Sequence, residues 1–63
     1  DINEQIQNYV KSGLVGDDLR WEAAILIYQY LDKMTDEHAE TLMGMYGLTE
    51  GEVMDIGVEE FGV

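Results

Sequence analysis

His38 is the only histidine in the chain and Ser12 the only serine. A hydrolase built on them would need both brought together from different helices, with an acid orienting the imidazole, and nothing in their spacing favours that. Asp36, Glu37 and Glu40 surround His38 and offer oxygen ligands for a loosely held metal. The four do not share one helical face well, and neither HExxH nor EF-hand spacing occurs. There is no cysteine, hence no thiol nucleophile, thiolate site or disulfide. A carboxylate pair can act as acid and base, but 63 residues leave little room for a substrate pocket. The expectation is a non-enzymatic protein with no catalytic residue, metal or cofactor.

What remains as chemistry is charge. Fourteen acids stand against three bases, Lys11, Arg20 and Lys33, for a net charge of −11. Residues 1–33 carry six acids and all three bases; residues 34–63 carry eight acids and no base. With 46% hydrophobic residues, including one Trp, one Phe and four Tyr, the chain has enough apolar surface to collapse despite that charge. The longest apolar run, Ala23 to Tyr28, falls far short of the ~20 residues of a membrane span. No basic, apolar leader opens the chain at Asp1. A cytoplasmic protein without membrane association is expected.

The acids must be positioned by helices. Ile2, Ile6, Tyr9 and Val10 share one face of a first helix over 2–12, which Gly13 stops. Asp17 is placed to cap a second helix over 17–34, whose broad apolar face runs Leu19, Ala23, Leu26, Ile27, Tyr30, Met34, with Arg20 intruding at its edge. Thr35 caps a third helix over 36–46, buried through Ala39, Leu42, Met43 and Tyr46 and ended by Gly47. Thr49 and Glu52 form a T-x-x-E capping box, with Leu48 and Val53 as its hydrophobic staple. They open a fourth helix over 50–61 with Val53, Ile56 and Phe61 inward; Gly57 marks either close packing or a break. The reading is one all-α domain, a compact bundle of four short helices in which short connections favour antiparallel or orthogonal neighbours.

Residues 43–58 resemble the helix-turn-helix family of DNA-binding domains. Gly47 takes the place of the glycine that ends the first helix. Leu48 and Thr49 match the apolar residue and hydroxyl cap after it, and Val53 and Ile56 the buried positions of the second helix. Met43 departs from the pattern, which prefers alanine there. The resemblance implies a transcriptional regulator whose second helix enters the major groove through Glu50, Gly51, Met54, Asp55, Val58 and Glu59. That face carries no cation, and phosphate affinity rests on Lys and Arg. The charge therefore argues against direct nucleic-acid binding and for the opposite partner.

Glu52, Asp55 and Glu59 at i, i+3, i+7 present a carboxylate stripe, joined by Glu50 and by Asp36, Glu37 and Glu40 on the preceding helix. Such a surface can occupy a basic groove on another protein, with association accelerated by long-range attraction. In character it resembles small acidic proteins that mimic DNA, among them phage-encoded inhibitors. The plainer alternative is a solvated surface that only keeps the chain soluble. A second interaction surface is the ridge Trp21, Ile25, Tyr28, fit for docking or homo-oligomerisation if exposed and for the core if not. Met34, Met43, Met45 and Met54 suit either core filling or an adaptable groove.

Overall fold

The structure is a computed structural model and describes residues 1–62. Four helices, α1 (Ile2–Lys11), α2 (Gly16–Tyr30), α3 (Asp36–Met45) and α4 (Glu50–Phe61), form a small all-α bundle. Their ends agree with the sequence pattern to within a residue, except at α2. Asp1 caps α1 by accepting from the Glu4 N–H, and Gly13 in the left-handed region (φ 103°) closes it. The Leu14 N–H then reaches back to the Tyr9 carbonyl. Thr35 and Thr49 cap α3 and α4 as expected, each accepting from the N–H three residues on.

Two expectations for α2 are corrected. Asp17 is not its cap: the helix starts at Gly16 with Val15 in the cap position and no side-chain capping bond. Asp17 and Asp18 sit instead in the first turn, complementing the helix dipole. Nor does the helix run to Met34. It ends at Tyr30, tightens into a 3₁₀ turn over Leu31–Lys33 and becomes extended at Met34. No glycine is available there to stop the helix in a left-handed conformation, so it terminates by tightening.

α2 packs against all three other helices, most extensively α4. The core gathers Ile6 from α1, Ala23, Ala24 and Ile27 from α2, Leu42 from α3 and Val53 from α4, all close to fully buried. The α2–α4 seam has identifiable contacts at both ends. Near both N-termini Arg20 meets Glu52; near both C-termini Tyr28 covers Gly57 and stacks on Phe61, ring centroids 5.9 Å apart and planes 7° from parallel. The two helices therefore run in the same direction. Gly57 is a close-packing glycine, since a Cβ there would lie within the Tyr28 ring. α3 is tied back to α1 by the Tyr46 hydroxyl, which donates to Asn3 (2.7 Å) and accepts from Gln7 (3.0 Å).

Phe61 does not point inward as expected. It is 48% exposed at the end of α4, where the Tyr28 ring stacks against it. Tyr46 is half-buried rather than buried, its hydroxyl kept at the surface by the bonds to α1.

Candidate functional site

The turn between α3 and α4 orients five of the eight acids of the C-terminal half, Glu50, Glu52, Asp55, Glu59 and Glu60. After Met45 the chain passes through Tyr46 to Gly47 (φ 65°), and the Leu48 N–H closes on the Met43 carbonyl at 2.8 Å. Met43 and Leu48, both buried in the core, stand at the two positions whose apolar side chains ordinarily accompany this stop. The capping box follows at once. Thr49 Oγ1 accepts from the Glu52 N–H, and Glu52 Oε1 accepts from the Thr49 N–H, each at 3.1 Å. Arg20 then bridges from α2. It donates to the Gly47 carbonyl at 3.1 Å and to Glu52 Oε2, and also lies 3.5 Å from Asp17.

Glu52 is consequently committed to architecture. The Thr49 backbone N–H, first in weight, and the Arg20 guanidinium hold its carboxyl below the ordinary value of 4.5, outweighing its partial desolvation. The other acids of the C-terminal half have no such engagement. Eight acids lie between Asp36 and Glu60, and among the described residues only Glu52 of these has a side-chain cation partner. Arg20 is engaged by Glu52 and Asp17, and among the described residues the side chains of Lys11 and Lys33 form no ion pair.

The acids singled out from the sequence fall into separate groups. Taking Val53 and Gly57 as the buried direction of α4 and ~100° per residue, Asp55 and Glu59 lie together on the outward arc, with Glu52 at its border. Glu50 belongs to the opposite border, on the same side as Met54. There it meets Asp36 and Glu40 of α3 around a cleft of about 200 Å³, floored by Leu31, Ala39, Met43 and Met54. Glu37 sits apart, exposed on the solvent side of α3.

The aromatic ridge is divided as well. Trp21, Ile25 and Tyr28 are all half-buried, but Tyr28 is drawn into the α2–α4 seam. Trp21 borders one depression with Tyr9 and Leu14, and another with Arg20 and Leu48. Of the methionines, Met43 is buried, Met34 half-buried, and Met45 and Met54 exposed. His38 is exposed, and the Ser12 hydroxyl donates to the Tyr9 carbonyl at 2.8 Å. No three His, Asp or Glu side chains converge in a metal-ligating arrangement among the described residues. No helix among them is long and apolar enough to cross a membrane.

The cleft between α3 and α4 was not foreseen, because the meeting of Glu50 with Asp36 and Glu40 depends on how the two helices dock. The one local signal was spacing: Asp36, Glu40 and Met43 at i, i+4, i+7 share an edge of α3, as do Glu50 and Met54 at i, i+4 on α4. No protein-family model, curated protein or solved structure matches the chain.

Proposed function

We propose that this protein is a non-enzymatic, acidic interaction module of the cytoplasm that binds a basic surface on a partner protein. An inhibitor that occupies a nucleic-acid-binding groove, of the phage or mobile-element type, is the sharpest form of this reading. The observation that carries it is the set of carboxylates on α3 and α4 other than Glu52, none offset by a side-chain cation among the described residues. They are displayed on helices whose starts are fixed by side-chain caps. Carboxylates held on rigid helices lose little entropy on meeting a cationic partner and steer its approach over a Debye length. The same charge disfavours a duplex, since phosphate contacts need cations and Arg20 is already engaged.

The test is capture of partners from the source cell's lysate at low and high salt, comparing the native protein with a Glu50→Lys/Asp55→Lys/Glu59→Lys variant. None of these three side chains holds a structural hydrogen bond among the described residues, so helicity should persist. Captured proteins should share a basic surface, leave the module as salt rises, be displaced from it by duplex DNA, and fail to bind the variant. Capture unchanged by both salt and charge reversal would sink the reading, and a low-salt gel shift of duplex DNA by the protein itself would replace it with direct DNA binding.

A further inference from the structure

Along α4, Met54, Val58 and Phe61 follow one another at i, i+4, i+7 and are 43%, 42% and 48% exposed, an apolar ridge with the Tyr28 ring stacked against its Phe61 end. Its Met54 end opens into the cleft with Met43 and Ala39. Its Phe61 end borders a second depression with Tyr28 and Asp32, and Leu31 lines both. The result is one apolar track along the α4 edge, about 10 Å from Met54 to Phe61 at 1.5 Å per residue. Carboxylates mark its ends: Asp36, Glu40 and Glu50 at one, Asp32 at the other. The cleft, at about 200 Å³, is smaller than the roughly 300–1,000 Å³ of small-molecule sites and of a size to take an inserted side chain.

We infer that this track is the docking groove for a basic amphipathic helix of the partner protein, which seats apolar anchors between Met43, Met54 and Phe61 and places Lys or Arg against Asp36, Glu40 and Glu50. The inference rests on the acidic-module reading and locates its site. Apolar anchors spaced i, i+4, i+7 complement a ridge of the same spacing, and unbranched methionines adapt to the side chains inserted. Charge selects the occupant. A second copy of this chain, at net −11, would bring acids to an acidic rim, whereas a helix with cations flanking its anchors matches both features.

The test uses two synthetic peptides of equal positive charge, one carrying Leu and Phe at i, i+4, i+7 among lysines and one with those anchors replaced by Ser. They are titrated onto the native protein and onto a Met54→Ser/Phe61→Ser variant of unchanged charge. The anchored peptide should bind the variant about tenfold or more weakly than the native protein. The anchorless peptide should bind both poorly. Backbone amide shifts in the native protein should centre on Leu31, Met43, Met54 and Phe61, a readout independent of how well the variant folds. Equal binding of both peptides, with shifts centred on Asp55 and Glu59, would overturn the groove and leave the acidic-module reading standing. So would failure of both peptides while salt-sensitive lysate capture persists. Sedimentation showing a native dimer that the double variant dissolves would assign the groove to a second copy and overturn the inference.

Discussion

Glu52 serves three partners at once: the Thr49 N–H, the Thr49 hydroxyl and the Arg20 guanidinium. Its depressed pKa makes that service pH-dependent. A carboxylate favoured in the folded state contributes stability above its unfolded value of 4.5 and loses it as pH falls through the lower folded value. Glu52→Gln retains an oxygen for the Thr49 N–H but cannot pair as an ion with Arg20. Native protein should therefore exceed the variant in stability near neutrality, with the gap closing as pH falls below 4.5, measured by urea unfolding across that range. A gap that stayed constant with pH would show that charge at this position contributes nothing. The Thr49–Glu52 half of this arrangement was legible in four consecutive residues. The Arg20 half was not, because its partner lies 32 positions away and no local rule couples them. Its only trace was a cation placed at the edge of an otherwise apolar face.

The pairing of α2 with α4 turns on Gly57. Alanine is the better helix former by about 1 kcal/mol, so an isolated α4 would gain from Gly57→Ala. In the folded protein the added methyl would collide with the Tyr28 ring and force the two helices apart or the ring out of its stack with Phe61. Overpacking of this kind costs about 1–3 kcal/mol and should outweigh the propensity gain. A fall in thermal midpoint of several degrees is expected, at ~4–8 °C per kcal/mol for a domain near this size. Circular dichroism melts would measure it, and the loss should shrink in a Tyr28→Leu background. The bounds of α4 followed from its cap and apolar spacing. The choice between close approach and break at Gly57 did not, since it depends on a tyrosine from another helix. The end of α2 departs from its sequence pattern for the converse reason: apolar periodicity continues to Met34, while the chain must already be extended there to enter the Thr35 cap.

Charge acts on the molecule as a whole. Mutual repulsion among fourteen carboxylates opposes the compact state and is screened by counterions. The thermal midpoint should rise as sodium chloride goes from about 0.01 to about 0.15 M, where the Debye length shortens from roughly 30 to 8 Å. A midpoint indifferent to salt would mean that the carboxylates are too well solvated to interact. This imbalance between halves was plain in the composition. The division of the acids between an outward arc and a cleft was not, because it depends on which helix edges meet.

The tethers described above also interleave along the chain. Tyr46 joins α3 to α1, while Arg20 and Tyr28 join α4 to α2. The less acidic half packs α1 on α2, but in the acidic half α3 and α4 each take their main helix contact from α2 rather than from one another. The segment that repels itself most strongly is held in shape by the segment that repels itself least, and folding becomes a joint event. An acidic fragment released from its N-terminal half would keep its full charge and lose the scaffold that makes that charge a surface.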